Sequence, residues 1–166
     1  MLKKGADMYI INESSDYEKL SRFFYANGLE IEPGIERPEN VIKCWECIDL
    51  KSNKLIGGAS LENRSGEFVV ANMAVDSEYR KKKLGTKLMK MLEEEIIGMG
   101  GDEAWLVGKI PVFYLKLGWE IVGRENAPEI SKCFTCSKFG NECNPEIMHK
   151  VFTENKQLGE NWRLQL

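Results

Sequence analysis

The sequence predicts a mixed α/β fold in one domain, with a mostly antiparallel, twisted sheet flanked by helices. The chain has 166 residues, which suits one compact domain with a sizeable core. Three strand-like segments follow one another between short turn-like segments, and an apolar pattern with helical spacing comes directly after them. We find no repeat, low-complexity segment or linker, so we expect a single domain over residues 1–166.

The first elements predicted along the chain are a strand and a helix. Met8–Ile11 is a short apolar run that suits a buried strand. Asp16–Asn27 reads as a helix, with Ser14 or Ser15 as its predicted N-cap. Its apolar side carries Leu20, Phe23, Phe24 and Leu29. A polar loop with two prolines follows.

The next three strands form a predicted antiparallel meander, because only short polar segments separate them. These strands are Val41–Leu50, Leu55–Asn63 and Glu67–Val75. A helix is predicted from Leu84, and the segment "GMGG" ends it. The remaining predicted elements are a strand over Glu103–Val107, a short helix from Pro111 to Gly118, and a strand over Trp119–Arg124.

Composition and charge exclude some classes of function. Lys and Arg number 23 and Asp and Glu number 26, which gives a net charge of −3. This balance argues against a nucleic-acid partner, because such proteins are normally basic. No run approaches the roughly 18 apolar residues of a membrane span, and the beginning lacks the apolar run of a signal peptide. We therefore expect a cytoplasmic protein that does not bind membranes.

Positive charge is concentrated before the second predicted helix. Four cationic residues, Arg80–Lys83, run into Leu84, Gly85 and Thr86 directly after a predicted strand. A helix N-terminus offers unpaired N–H groups and the positive end of the helix dipole, so this segment is a candidate phosphate or pyrophosphate site. The alternative is a solvated lysine turn that only keeps the surface soluble.

The cationic segment resembles the acetyl-CoA loop of the GNAT acetyltransferase superfamily, Arg/Gln-x-x-Gly-x-Gly/Ala between a strand and a long helix. The match is Arg80-Lys81-Lys82-Lys83-Leu84-Gly85, with Lys83 where the family usually has its first glycine. The order of elements extends the match, and "FYLKLGW" (Phe113–Trp119) is similar to the family's tyrosine-x-x-x-glycine-aromatic segment. The asparagine that most members place before this tyrosine is absent, since Val107 occupies that position.

The resemblance implies the GNAT fold and an acetyl-transfer reaction with acetyl-CoA as the cosubstrate. Arg80–Thr86 would bind its pyrophosphate, and the backbone of the preceding strand would hold the pantetheine arm and polarise the thioester. The residues implied are Met73, Ala74, Val75, Arg80, Lys81, Lys82, Lys83, Leu84, Gly85 and Thr86. Tyr114 would be the general acid, because a phenol can protonate a leaving thiolate; the alternative is an aromatic ring that only packs between helix and sheet.

The sequence does not single out a general base. Glu62 and Glu67 lie on the predicted strands, but either could face solvent, and a chain of water molecules could carry the proton instead. The acceptor is equally open.

Five cysteines are present, and the last three form a cluster that the family pattern does not explain. Cys133, Cys136 and Cys143 are soft ligands, and His149 could complete a Cys₃His zinc site. Against this, "PEIMHKVF" could be a final strand from which His149 points away. A redox pair and three unreactive thiols are the alternatives. Cys44 and Cys47 lie within one predicted strand and are interpreted as ordinary buried residues.

The sequence therefore predicts an N-acetyltransferase that acts on a primary amine of a small molecule or on an amino terminus. The second hypothesis is a non-catalytic acyl-CoA-binding module that senses metal or redox state through the cysteine cluster. A small zinc-dependent nucleic-acid module is disfavoured by the acidic balance. A homodimer is one of the assembly states that the sequence leaves open.

Overall fold

A computed structural model of the chain describes residues 8–130 and 145–152, apart from the side chains of residues 81 and 82. The strands in this part of the chain are β1 (Tyr9–Glu13), β2 (Val41–Asp49), β3 (Leu55–Arg64), β4 (Glu67–Val75), β5 (Glu103–Gly108), β6 (Glu120–Val122) and β7 (Glu146–Val151). The α-helices are α1 (Tyr17–Ala26), α2 (Leu84–Gly98) and α3 (Pro111–Leu115), and 3₁₀-helices span Ser77–Lys82 and Arg124–Asn126. None of the described helices is long and apolar enough to cross a membrane.

The strands form one sheet in the order β1-β2-β3-β4-β5-β7-β6. β1 is antiparallel to β2, and β7 is antiparallel to both β5 and β6. β4 and β5 are parallel, through the pairs Val69↔Trp105 and Val70↔Leu106. This mostly antiparallel sheet with its helices confirms the predicted fold class. The last strand, β7, is inserted between β5 and β6, an order that chain sequence alone does not indicate.

The described residues pack as two compact units. The first contains the described residues up to Leu61 together with Asn72–Met89, and the second contains Glu62–Ala71 and the described residues from Lys90 onward. β3, β4 and α2 each contribute residues to both units. The single domain expected from the sequence stays a prediction.

The start of α1 differs from the prediction. Its N-cap is Asp16, whose carboxylate accepts a hydrogen bond from the Lys19 N–H at 3.0 Å. Ser14 lies two residues earlier, and its hydroxyl accepts a hydrogen bond from the Asp16 N–H at 3.1 Å. The predicted N-cap at Ser14 or Ser15 is therefore wrong. Serine and aspartate are equally good caps by residue type, but the Asp16 carboxylate is the one that reaches the N–H of the third helical residue.

The core of the first unit forms where α1 packs on β3. Leu20 and Phe24 are fully buried, and they lie against Gly58. A Cβ at Gly58 would stand 2.8 Å from Leu20, so the helix approaches the strand this closely only because the position is glycine.

The two cysteines of β2 are buried in this unit as the sequence predicted. Cys44 and Cys47 have no exposed surface, and the Cys44 thiol lies 3.1 Å from the Ser14 carbonyl oxygen. Burial raises the pKa of both thiols, that of Cys47 to about 12. Because the thiolate is the reactive and metal-binding form, neither residue is a reactive centre at neutral pH.

The second unit has its core on its part of β4, on β5 and β7, and on the segment before residue 131. Buried apolar side chains from these parts contact one another, namely Val69, Trp105, Ile130 and Ile147. The predicted strand Trp119–Arg124 is shorter in the structure, since only Glu120–Val122 pairs with β7. Trp119 instead belongs to the turn after α3, because its N–H donates to the Tyr114 carbonyl oxygen at 3.1 Å.

The end of α2 confirms the predicted stop. Gly100 adopts φ +85°, and its N–H donates to the Ile97 carbonyl oxygen at 2.9 Å. The Gly101 N–H donates to the Ile96 carbonyl oxygen, also at 2.9 Å. These two bonds form a Schellman motif, which favours glycine at the left-handed position.

Candidate active site

All ten residues predicted to bind the cofactor lie on one continuous segment of the first unit. This cofactor segment, Met73–Thr86, consists of the end of β4, the 3₁₀-helix Ser77–Lys82 and the first turn of α2. The resemblance implied a loop at the cationic run Arg80–Lys83. In the structure, most of this run belongs to the 3₁₀-helix Ser77–Lys82. Asp76 caps this helix, because its carboxylate accepts the Glu78 N–H at 3.0 Å. That bond is the main reason why the pKa of Asp76 is lowered, with further contributions from Lys54 and Arg80.

Lys83 joins the 3₁₀-helix to α2 in the left-handed conformation, with φ 59° and ψ 21°. Its carbonyl oxygen accepts the Lys87 N–H at 3.2 Å, so the helical bonding of α2 starts here. This is the position at which the GNAT pattern usually has its first glycine. A non-glycine residue costs about 1–2 kcal/mol in this conformation. The backbone therefore keeps a glycine-like geometry, while the exposed side chain adds a positive charge.

The start of α2 has the features of an anion-binding helix terminus. Leu84 is buried and fixes the first turn in the core, whereas Gly85 and Thr86 are half-buried. The first N–H groups of a helix lack partners within the helix and lie at the positive end of its dipole. Arg80 is exposed, and its Nε donates to the Val75 carbonyl oxygen at 3.2 Å, which folds the guanidinium back towards the end of β4. Such a terminus with added cationic residues suits a phosphate or pyrophosphate group.

Tyr114 lies on α3 in the second unit, half-buried. A Cβ on Gly108 would come within 3.0 Å of the Tyr114 ring, so the ring packs on the glycine backbone at the end of β5. Phe113 contacts the same ring edge-on at 5.0 Å between centroids. Burial raises the pKa of Tyr114 to about 12. The phenol is therefore protonated throughout the physiological pH range and is available as a proton donor.

The turn after Tyr114 is fixed by backbone and side-chain bonds. The Tyr114 carbonyl oxygen accepts the N–H groups of Leu117 and Trp119 at 3.0 and 3.1 Å. The Lys150 ammonium donates to the Leu117 carbonyl oxygen at 2.7 Å and forms an ion pair with Glu93 at 2.5 Å. The segment Pro111–Trp119, which contains α3 and the turn that follows it, is referred to as the Tyr114 turn. Its geometry depends on β7 and on α2 as well as on its own residues.

The predicted metal ligands are described only in part. Cys133, Cys136 and Cys143 lie outside the described residues. His149 lies on β7, where its Nε2 is 2.8 Å from the Glu103 carboxylate and its ring stacks on Trp105 at 4.1 Å. No group of three or more histidine, cysteine or acidic residues within residues 8–130 and 145–152 is arranged to hold a metal ion. A zinc site involving the three cysteines and His149 stays a prediction.

The structure also shows polar groups that the sequence reasoning left open or missed. Glu62 is buried rather than facing solvent, and its carboxylate lies 3.3 Å from the Arg64 guanidinium. Arg64 also donates to the Ile130 carbonyl oxygen. In the first unit, the Asn72 amide donates to the fully buried Ser60 hydroxyl at 3.0 Å. The signal for this second pair was present in the sequence, as polar residues inside two apolar strands.

Comparison with known proteins agrees with the fold and with these motifs. Residues 42–121 match the family model of the acetyltransferase (GNAT) domain. None of the curated proteins compared with the chain is similar enough in sequence to count as a match.

Several solved structures share the fold at low sequence identity. An acetyltransferase of the GNAT family from Staphylococcus aureus Mu50 superimposes with a TM-score of 0.63 at 18% identity, over 86% of this chain and 98% of that one. The ribosomal-protein-S18-alanine N-acetyltransferase from Escherichia coli gives 0.62 at 18% identity, over 87% and 94%. A GNAT family acetyltransferase from Elizabethkingia anophelis with acetyl-CoA bound gives 0.55 at 14% identity, over 87% and 99%. The chain therefore matches the GNAT acetyltransferase domain over residues 42–121 and shares its fold with solved GNAT acetyltransferases.

Proposed function

We propose that the protein is an acetyl-CoA-dependent N-acetyltransferase that transfers the acetyl group to a primary amine of a small molecule or to an amino terminus. The observation that carries this proposal is the cofactor segment. It combines a strand end, a cationic 3₁₀-helix, a left-handed residue at the family's glycine position and the start of a long helix. The left-handed conformation of Lys83 costs stability, and residues held in such a conformation are typical of ligand-binding segments.

Binding of acetyl-CoA is assigned to the cofactor segment. The N–H groups of Leu84, Gly85 and Thr86 would bind the pyrophosphate, and the charges of Arg80–Lys83 would add long-range attraction. The exposed part of this attraction is screened by salt, since the Debye length is about 8 Å at physiological ionic strength. We therefore expect the affinity for acetyl-CoA to fall as ionic strength rises.

Acetyl transfer itself needs positioning and one proton donor. The amine nitrogen attacks the thioester carbonyl carbon, a C–N bond forms, and the C–S bond breaks to release the CoA thiolate. Backbone groups of Met73, Ala74 and Val75 at the end of β4 would hold the pantetheine arm and polarise the carbonyl oxygen. The Tyr114 phenol would give its proton to the thiolate, and it is restored by the proton that the amine loses to a base or to water.

The E. coli protein of similar fold is named as acting on an alanine of ribosomal protein S18, which is compatible with an amino terminus as acceptor but does not specify one here. A cytoplasmic location and a homodimer stay predictions from the sequence.

Release of CoA thiol, measured over a panel of amines and amino-terminal peptides, tests the proposal. We expect acetyl-CoA to bind and at least one class of primary amine to increase thiol release above the rate of hydrolysis. Binding of acetyl-CoA without turnover on any amine class would favour the acyl-CoA-binding module instead. If acetyl-CoA does not bind even at low salt, both the acetyltransferase and the acyl-CoA-binding module are contradicted.

A further inference from the structure

Side-chain contacts within the first unit link the turn between β2 and β3 to the cationic 3₁₀-helix. The Tyr79 hydroxyl donates to the Asp49 carboxylate at 2.5 Å, and this bond is the main cause of a raised pKa at Tyr79. The Lys54 ammonium lies 3.3 Å from the Asp76 carboxylate. The first contact is the firmer of the two, because it is a short hydrogen bond to a charged group, whereas the ion pair is longer and its Lys54 side chain is half-exposed.

The hairpin turn is itself well defined, which makes it a suitable support. The Asp49 N–H donates to the Lys54 carbonyl oxygen at 2.9 Å, and the Asn53 N–H donates back to the Asp49 carbonyl oxygen at 2.8 Å. One carboxylate oxygen of Asp49 accepts the Lys51 N–H at 2.8 Å, while the other accepts the Tyr79 hydroxyl. Asp49 thus orders its own turn and holds Tyr79 at the same time.

The 3₁₀-helix is held at its start as well as at Tyr79. The Asp76 N–H donates to the Ile56 carbonyl oxygen at 2.8 Å. One oxygen of the Asp76 carboxylate caps the helix at Glu78, and the other faces Lys54. Both supports precede Arg80 in the chain, so they fix the path along which the backbone reaches Lys83 and the N-terminus of α2.

We propose that Asp49 and Tyr79, with Lys54 and Asp76 as a weaker second pair, are positioning residues that hold the cofactor segment in its binding geometry before acetyl-CoA arrives. The proposal rests on the proposed function, because it assumes that this segment binds the pyrophosphate. These side chains act through Arg80–Thr86, since their polar groups already contact one another. A segment ordered in advance avoids the loss of conformational entropy on binding and therefore binds more tightly.

Calorimetric titration with acetyl-CoA at two salt concentrations tests this proposal. Tyr79→Phe removes the hydroxyl and keeps the ring and the net charge. We expect its affinity to fall by about tenfold, with the dependence on salt unchanged and kcat at saturating acetyl-CoA near that of the unmodified protein. Tyr25→Phe is the matched control, because Tyr25 is an exposed tyrosine of the same unit on α1, and it should bind acetyl-CoA normally.

Three results separate this role from others. An affinity of Tyr79→Phe within twofold of the control would overturn the positioning role. A reduced salt dependence would also overturn it, because that result is expected only for a residue whose loss changes the charge near the ligand. If Tyr79→Phe does not fold, Lys54→Met is tested instead. An affinity of Lys54→Met for acetyl-CoA equal to that of the control would then overturn the positioning role. If the proposed function itself is wrong, Arg80→Ala will leave acetyl-CoA binding unchanged, whether or not Tyr79→Phe changes it.

Discussion

The cofactor segment and the Tyr114 turn are held in place by different physical means. The cofactor segment has exposed charged side chains at Glu78, Arg80 and Lys83. Its backbone is held by hydrogen bonds and charges at Asp76, Tyr79 and Arg80. The Tyr114 turn depends on packing in addition to its hydrogen bonds, because the Tyr114 ring covers Gly108 and Trp119 is 1% exposed.

This difference separates affinity from chemistry. Exposed charges at the cofactor segment act over distance and are screened by salt, so changes there should alter binding more than turnover. Burial of a phenol excludes water and raises its pKa, so changes there should alter turnover more than binding. The predictions below challenge this separation, from the largest expected effect to the smallest.

The largest effect is expected from Tyr114→Phe. The substitution removes the proposed proton donor and keeps the ring that packs on Gly108, so kcat should fall by about 100-fold or more. The affinity for acetyl-CoA should stay within about twofold, because the residues proposed to bind it are untouched. Steady-state kinetics and calorimetry measure the two quantities. Turnover equal to that of the unmodified protein would leave Tyr114 with a packing role alone.

Lys150 should affect the same step less strongly. Lys150→Met removes the ammonium that binds the Leu117 carbonyl oxygen and pairs with Glu93, which loosens the Tyr114 turn. We expect kcat to fall by about tenfold with little change in the KM for acetyl-CoA, because a positioned group loses efficiency when its geometry relaxes. Lys150→Arg should restore most of the activity. Equal activity of Lys150→Met and the unmodified protein would show that the turn holds its geometry without this residue.

Lys83→Gly should stabilise the protein while weakening cofactor binding. Glycine removes the cost of the left-handed conformation but adds chain entropy to the unfolded state, so the free energy of unfolding should rise by about 0.5–1 kcal/mol. Loss of the positive charge should lower the affinity for acetyl-CoA severalfold. Lys83→Asn is the matched variant, since asparagine tolerates this conformation and also removes the charge. A stability decrease in Lys83→Gly would show that the side chain, and not the backbone, determines this position.

The smallest expected effect is on the pH profile. Since the pKa of Tyr114 is raised to about 12, ionisation of this phenol should not reduce kcat below about pH 10. The stability gained from keeping the phenol neutral is fully present below the ordinary tyrosine pKa near 10 and is lost as the pH rises towards 12. A fall in kcat with a midpoint below pH 10 that is absent in Tyr114→Phe would contradict this burial effect.

Local patterns predicted the elements, because hydrophobic spacing and turn residues act over a few positions. The meander, the long helix that begins at Leu84 and the stop at Gly100 all follow from such patterns. The order β5-β7-β6 did not, because the position of β7 depends on pairing between distant parts of the chain. The cap of α1 also escaped prediction, since Ser14 and Asp16 have the same cap preference and only the geometry distinguishes them.

The candidate site could be predicted in its residues but not in its supports. The motif located the cofactor segment and Tyr114, but the residue type at position 83 gave no indication of a left-handed backbone. The contacts of Tyr79 with Asp49 and of His149 with Glu103 join residues that are far apart in the chain. Such contacts leave no local pattern in a sequence.

The most direct test of the central claim is acetyl-CoA binding to a variant that lacks two charges of the cofactor segment. Arg80→Ala combined with Lys83→Asn removes both charges and keeps a residue that tolerates the left-handed conformation. The control, Arg22→Ala with Lys90→Ala, removes two exposed cationic residues from α1 and α2. In calorimetric titrations at low and high salt, we predict that the first variant binds at least about tenfold more weakly and with less salt dependence than the control. Equal affinity and equal salt dependence of the two variants would contradict the assignment of this segment to the pyrophosphate of acetyl-CoA.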